Sequence, residues 1–171
     1  AVQDFSAFTK RDMLRPVKDK KSGILPVKLA RIMINLLPNK PNKLLDPFCG
    51  SGTILMEAAL LGIRNLLVTD IESRAVSATE NNLDWFFREF NLIKSDYEIL
   101  IKVADVKNLD KILTGNITDS IVTEPYLGPP LYKKPDEFQS QNILSRLTPL
   151  YRESLDVFHR LLQSGGYIVM I

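Results

Sequence analysis

Short apolar runs alternate along this chain with longer stretches in which apolar residues recur every three or four positions. The short runs have the length of buried β-strands, and they occupy residues 43–46, 65–70, 98–103, 120–123 and 167–171. The longer stretches have the period of amphipathic helices, and they cover residues 26–37, 52–62, 73–90 and 140–163. Strands that alternate with helices predict an α/β fold with a doubly wound, mainly parallel sheet.

Two of the predicted helices have a defined apolar face. In the helix at 73–90 we expect a stripe that packs in the core, formed by Val76, Leu83, Phe86, Phe87 and Phe90. In the helix at 140–163 the residues expected to face inward are Ile143, Leu147, Leu150, Leu155, Phe158 and Leu162. Glycines predict turns before the last two strands, at 115–116 and 165–166, and three prolines predict a loop over 126–136.

The composition is that of a globular protein with one domain. The 171 residues are 45% hydrophobic and 25% charged. Cys49 and His159 are the single cysteine and the single histidine, so the chain forms no internal disulfide and offers no metal-ligand cluster. No apolar run approaches the roughly 20 residues of a membrane-spanning helix. We therefore expect a cytoplasmic protein with no membrane contact and no metal.

The first 22 residues lack a clear period, and we expect an extended, basic entry segment there, followed by one domain at 23–171. Residues 1–28 contain seven lysines and arginines against three aspartates, a net charge of +4, whereas the whole chain carries only +2. A basic segment of this kind could contact a phosphate backbone. A solvated lead-in would have the same charge, so both interpretations stay open.

Residues 43–53 predict a strand, a glycine turn and the start of a helix. Leu44 and Leu45 belong to the buried strand, and Gly50 and Gly52 supply the backbone freedom of a tight turn. At this place in an α/β sheet the backbone can closely approach a nucleotide-like ligand. The spacing differs from Gly-x-Gly-x-x-Gly, and no lysine follows the glycines as in a P-loop. Asp46, just before the turn, would suit a ligand with a cationic amine.

An acidic residue follows each of the first four predicted strands, namely Asp46, Asp70, Asp105 and Glu124. Ligands of open α/β sheets bind beyond the carboxyl ends of the strands, so these side chains are expected to meet at one site. Each of them alone could instead be a helix N-cap or an ordinary loop residue, and for Asp105 the two interpretations are about equally plausible.

The segment Asp46-Pro-Phe-Cys-Gly-Ser-Gly-Thr53 resembles the first cofactor motif of class I S-adenosylmethionine (SAM) methyltransferases. The resemblance implies a Rossmann-like sheet and SAM as the cofactor. It places Asp46 near the methionine amine, Asp70 at the ribose hydroxyls and Asp105 at the adenine amino group. The other cofactor-binding residues that it implies are Phe48, Gly50, Gly52, Thr53, Ile71 and Val106.

The segment that follows the fourth strand, Thr123-Glu124-Pro125-Tyr126, is similar to the Asp/Asn-Pro-Pro-Tyr/Phe motif of methyltransferases that modify exocyclic or amide nitrogens. The lone pair of such a nitrogen is delocalised, so hydrogen-bond acceptors and a stacking ring are needed to position and activate it. The resemblance makes Glu124, Pro125 and Tyr126 the candidate catalytic residues. Glu124 replaces the usual Asp or Asn, and Leu127 occupies the usual aromatic position, which puts the target atom in doubt.

Four segments in the expected order resemble the catalytic domain of THUMP-associated tRNA guanosine-N2 methyltransferases; they are residues 10–16, 23–30, 46–53 and 123–126. The resemblance implies methyl transfer to guanosine N2 in tRNA. It also places residues 23–30, with Leu25, at the rim of the SAM site. Such domains usually follow an RNA-binding THUMP domain and have two further strands at the end of the sheet. We therefore expect a fragment, or a last strand whose edge pairs with missing strands or a partner chain.

Other functions share parts of this chemistry. Adenine-N6 methyltransferases of DNA or RNA, and protein glutamine methyltransferases, have the same requirement for an activated planar nitrogen. A non-catalytic module with the SAM fold that binds RNA or a partner would also fit, because Glu124 and Tyr126 depart from the common motif.

Overall fold

The computed structural model describes residues 5–18, 24–113 and 118–171. Five parallel strands form one sheet in the order β3-β2-β1-β4-β5. The strands are β1 Lys43–Asp46, β2 Asn65–Asp70, β3 Glu98–Val103, β4 Thr118–Thr123 and β5 Leu162–Met170. The predicted doubly wound parallel sheet is confirmed, with strand limits within two residues of the prediction for β1 to β4.

Helices cover both faces of the sheet. They are α1 Phe5–Met13, α2 Val27–Asn35, α3 Thr53–Leu60, α4 Ser73–Glu89, α5 Leu109–Ile112 and α6 Glu137–Leu161. Successive residues of a strand point to opposite faces. In β1, Leu44 joins the core beneath α2, α3 and α4, while Leu45 joins the core beneath α5 and α6. Both leucines are fully buried, as expected for the central strand of a parallel sheet.

The aromatic stripe of α4 packs in the core as predicted. Leu83, Phe86 and Phe87 are buried, and Phe86 stacks at a tilt on Phe90 with ring centroids 5.1 Å apart. Among the residues with described structure, no helix is both long enough and apolar enough to cross a membrane.

The entry segment differs from the prediction, because residues 5–13 form helix α1 instead of an extended chain. Arg11 on this helix is buried and forms an ion pair with Glu57 of α3, which also binds Arg31 of α2 at 2.8 Å. The guanidinium of Arg11 also lies over the ring of Phe8. The charge of Arg11 therefore holds three helices together and is not available to an external phosphate. Lys20 and Lys21 of the same segment lie outside the described residues.

The last helix and strand also differ from the prediction. The buried residues in the second half of α6 are Ser154, Val157, Phe158 and Leu161, whereas Leu155 is 43% exposed. Strand β5 begins at Leu162, so the predicted turn at Gly165 and Gly166 lies within the strand, where the pairing with β4 shifts register. The predicted turn at 115–116 lies outside the described residues. That two further strands complete the sheet stays a prediction.

Candidate active site

The glycine turn after β1 is held against β2. The amide of Cys49 donates to the carbonyl of Thr69 at 2.9 Å, and the amide of Gly52 donates to the carbonyl of Cys49 at 2.8 Å. Gly52 has a φ of 82°, and a Cβ there would lie 3.0 Å from Cγ2 of Thr79. The predicted turn is therefore confirmed, and a side chain at Gly52 would strain the backbone and crowd the side chain of Thr79 on α4.

A cleft of about 760 Å³ opens beyond the carboxyl ends of the strands. Twelve of the thirteen predicted site residues line it: Leu25, Asp46, Phe48, Gly50, Thr53, Asp70, Ile71, Asp105, Val106, Glu124, Pro125 and Tyr126. Gly52 is not among the lining residues, because it lies at the N-terminus of α3 against Thr79. The structure thus brings the four acids that follow β1 to β4 to one site.

Asp46 lies at the base of the cleft and is only 1% exposed. Its Oδ1 accepts hydrogen bonds from the hydroxyl of Thr123 at 2.8 Å and from the amide of Phe48 at 3.2 Å. Burial, with a smaller contribution from the nearby carboxylates of Asp70 and Glu124, raises the pKa of Asp46 to about 7, although these two hydrogen bonds lower it. A cationic ligand group at this carboxyl would favour its ionised form.

Asp70 and Asp105 both have internal hydrogen bonds. Asp70 accepts from the amide of Gly50 at 2.9 Å and from that of Glu72 at 3.0 Å, so it fixes the glycine turn as well as facing the cleft. Asp105 accepts from the amide of Lys107 at 3.0 Å and caps the short turn Val106–Asn108. The capping interpretation that was left open for Asp105 is thus confirmed, and the residue also lines the cleft.

Glu124 and Tyr126 lie at the mouth of the cleft. Burial raises the pKa of Glu124, and no hydrogen bond reaches its carboxylate from the residues whose placement is described. The backbone of Tyr126 is fixed, because its carbonyl accepts a hydrogen bond from the hydroxyl of Tyr151 on α6 at 2.8 Å, whereas its side chain is 55% exposed. An unengaged carboxylate beside an exposed ring suits recognition of a planar amino group.

Arg15 is a site residue that the sequence analysis missed. It is buried behind the glycine turn, where Nη1 donates to the hydroxyl of Thr53 at 2.7 Å and to that of Ser51 at 3.3 Å. Asn82 of α4 joins the same segment to the turn, because its amide donates to the carbonyls of Val17 and Ser51. The sequence placed Arg15 in a charged segment without a period, and that pattern carried no signal for burial.

The acidic lining of the cleft favours a cationic ligand over a polyanionic one. Its lining contains five acids and one arginine, and they are Asp46, Asp70, Glu72, Asp105, Glu124 and Arg74. Arg74 lies 3.5 Å from Glu72, which leaves an excess of acids that would repel a polyphosphate. Burial raises the pKa of Cys49, so its thiol is a poor nucleophile at neutral pH. The lining residues fit SAM, whose ammonium and sulfonium are cationic and whose ribose needs hydrogen-bond acceptors.

Comparison with known proteins agrees with this geometry. The family model "UPF0020: RMKL-like, methyltransferase domain" matches residues 15–171. Two proteins named tRNA (guanine(10)-N2)-dimethyltransferase are similar: one from Methanothermobacter thermautotrophicus is 36% identical over 86% of this chain and 38% of its own length, and one from Methanocaldococcus jannaschii is 41% identical over 66% and 31%. The chain therefore spans less than two fifths of either relative.

The fold recurs in a solved structure. The crystal structure of TrmN from Thermus thermophilus superposes with a TM-score of 0.64, at 22% identity, over 99% of this chain and 43% of that one. This likeness concerns the fold alone, and it includes the parallel sheet beneath the glycine turn. With a family model that matches 157 of the 171 residues, the chain belongs to the UPF0020 family of RMKL-like methyltransferase domains.

Proposed function

We propose that this domain transfers a methyl group from SAM to N2 of a guanosine in tRNA. The observation that carries the proposal is the junction at the mouth of the cleft, where the unengaged carboxylate of Glu124 and the exposed ring of Tyr126 adjoin an acidic cavity suited to a cationic cofactor. The names of the two archaeal relatives support guanosine and tRNA as the substrate.

Different residues of the cleft bind different parts of the cofactor. Asp46 holds the ammonium, Asp70 accepts hydrogen bonds from the ribose hydroxyls, and Ile71 and Val106 enclose the adenine ring. When bound, SAM supplies an electrophilic methyl group. The glycine turn allows close approach of the backbone, and Arg15 keeps that turn in place from behind.

The residues at the mouth position the guanosine. The carboxylate of Glu124 and the carbonyl of Pro125 accept hydrogen bonds from the exocyclic amine, and the ring of Tyr126 stacks on the base. The transfer would form a bond between N2 and the methyl carbon while the bond from that carbon to the sulfonium sulfur breaks, so the cofactor would leave as a neutral thioether. N2 would lose a proton in this step, and Glu124 would accept it. The raised pKa of Glu124 makes the carboxylate a better proton acceptor than an exposed glutamate. Tyr151 holds the loop at the position that this contact requires.

The test is a single-turnover methylation of a tRNA transcript with methyl-labelled SAM, followed by nucleoside analysis. Label in N2-methylguanosine is expected, and Glu124→Gln should reduce the rate at least a hundredfold, the lower end of the range for lost proton transfer. Glu80→Gln, on the exposed face of α4, is the matched control and should leave the rate unchanged. Label in N6-methyladenosine would contradict the proposal, and a folded chain without SAM affinity would favour a non-catalytic module.

A further inference from the structure

A second cavity lies beside the cleft, between the loop after β4 and the first half of α6. It has a volume of about 660 Å³ and is called the loop groove here. Its lining is Tyr126, Gly128, Pro129, Pro130, Leu131, Tyr132, Lys133, Gln139, Asn142, Ile143, Arg146 and Leu147. Tyr126 and Gly128 also line the cleft, so the two cavities are neighbours with a shared wall.

The loop is attached to α6 at two points, Tyr126 and Gly128, at the end of the groove next to the cleft. A Cβ on Gly128 would lie 3.3 Å from Cγ2 of Ile143, so the loop backbone packs directly on α6. About two helical turns after Ile143 on α6, the hydroxyl of Tyr151 donates a hydrogen bond to the carbonyl of Tyr126 in the loop. The helix itself begins with a capping box between Asp136 and Gln139. The start of the loop and the start of α6 are therefore held in place, whereas Tyr132 further along the loop is exposed.

The charge of the loop groove is opposite to that of the cleft. Its lining includes Lys133 and Arg146 and no acidic residue. Neither cation forms an ion pair with any residue in the described ranges. The change from acidic to basic lining occurs across Tyr126. A cationic cofactor and a polyanionic substrate would thus each meet a surface of opposite charge.

The remaining lining suits a nucleobase. The ring of Tyr132 is 97% exposed, although a tyrosine in an ordinary surface position is usually partly covered. Pro129, Pro130 and Ile143 supply an apolar floor, and the amides of Gln139 and Asn142 supply hydrogen-bond donors and acceptors. An aromatic ring, an apolar floor and nearby cations are the means by which proteins bind single-stranded nucleic acid.

We propose that the loop groove binds the nucleotide that adjoins the target guanosine, with its base against Tyr132 and its phosphate at Lys133 and Arg146. This inference rests on the proposed function, since it takes the cleft mouth as the place of the methylated base. The groove selects an unpaired neighbour, because a base held in a duplex cannot stack on the tyrosine. The target must then lie where at least two consecutive nucleotides can leave the helix.

The test compares ligands that differ by one nucleotide. Guanosine monophosphate and single-stranded RNA dinucleotides and trinucleotides that contain guanosine are titrated by calorimetry into the SAM-analogue complex of this chain. The adjoining nucleotide on one side should increase the affinity at least about fivefold, the lower end of the range for a stacked base. Tyr132→Ala and Arg146→Glu should each remove this increase and leave the affinity for guanosine monophosphate unchanged.

Arg152→Glu is the matched control, because it places the same charge change on an exposed position of α6 outside the groove. SAM affinity, measured for every variant, reports that the cleft is intact. Equal RNA affinity in Arg146→Glu and Arg152→Glu would overturn the proposal. A protein segment would then be the better candidate for the ligand of the groove. If the groove variants bind normally while labelled N2-methylguanosine still forms, the groove proposal fails and the proposed function stands. Absence of both SAM and RNA binding would overturn both.

Discussion

The carboxyl group at the base of the cleft should make SAM binding depend on pH near neutrality. In the free domain burial raises the pKa of Asp46 to about 7. The ammonium of the cofactor favours the ionised carboxylate, so binding lowers this pKa and releases a proton. The affinity should therefore increase as the pH rises through 7 and be lost progressively as the pH falls below 7.

The size of the effect follows from the fraction of Asp46 that is ionised before binding. With a pKa of about 7, about 3% of the carboxyl groups are ionised at pH 5.5 and about half at pH 7. If only the ionised form binds, the affinity at pH 5.5 should be about 15-fold weaker than at pH 7. A free α-amino group titrates at about 7.7–8.0, so the ligand amine stays mostly protonated across this interval.

Calorimetric titration with SAM at half-unit steps from pH 5.5 to 7 measures this dependence. Repeating each point in two buffers with different heats of ionisation gives the number of protons released. In Asp46→Asn the amide oxygen can still accept from Thr123 and Phe48, so the variant removes the charge with little change of shape. Its affinity should be weaker at pH 7 and nearly constant with pH, whereas the Glu80→Gln control should keep the slope. The reasoning would be refuted if the SAM affinity of the unsubstituted chain did not change with pH, or if it changed with pH equally in Asp46→Asn.

Three further substitutions test separate contacts. Asp70→Ala should weaken SAM binding about tenfold or more, because it removes charge-assisted hydrogen bonds to the ribose, and unchanged affinity in a calorimetric titration would contradict the assignment. Glu57→Ala should lower the free energy of unfolding by about 3–5 kcal/mol, because it leaves Arg11 buried without a counter-charge; a change below about 1 kcal/mol in urea unfolding would contradict this. Tyr151→Phe should slow methyl transfer while SAM affinity is kept, since it releases only the loop carbonyl; equal single-turnover rates would show that the loop holds itself.

The sheet was predictable from the sequence because each strand contains a short apolar run, such as residues 44–45 in β1, 66–68 in β2 and 99–101 in β3. The local pattern was insufficient for α1. Its helix is stabilised by the pairing of Arg11 with Glu57, forty-six residues away, and by the contact with Phe8. A count of charges treats every arginine as solvated, so the same residues predicted an exposed segment.

The prediction of the inward face of α6 was partly wrong for a different reason. The prediction named Leu155 and Leu162 where the structure buries Ser154 and Leu161, and it omitted Val157. The observed inward residues follow one helical period, and they are Ile143, Leu147, Leu150, Ser154, Val157, Phe158 and Leu161. Ser154 can be buried because its hydroxyl donates to the carbonyl of Leu150 at 2.7 Å. The helical period identified the buried positions of α6 better than a choice of apolar residues did.

The site was predictable to the extent that topology determines it. Strands that run parallel end at one edge, so acids after four strands had to converge there. The hydrogen bond by which Asp70 fixes the amide of Gly50 could not be predicted, since it depends on loop conformation. For Asp105 the sequence left the capping role open, and only the structure shows it. The loop groove was equally hidden, because it exists only when the segment after β4 packs on α6.

The division of the site along the chain bears on how such a domain could change its target. The residues that we propose to bind the cofactor lie between Leu25 and Val106, whereas the loop and the groove that we propose to bind the nucleotide come from 124–147. The segment proposed to bind the cofactor and the segment proposed to bind the nucleotide are therefore separate in the sequence, and Tyr126 lines both cavities. A chimaera that exchanges only 124–147 with another family member should keep its SAM affinity while its choice of nucleotide changes, and calorimetry together with nucleoside analysis would reveal it. Substitutions confined to about one seventh of this sequence could therefore change which nucleotide is methylated.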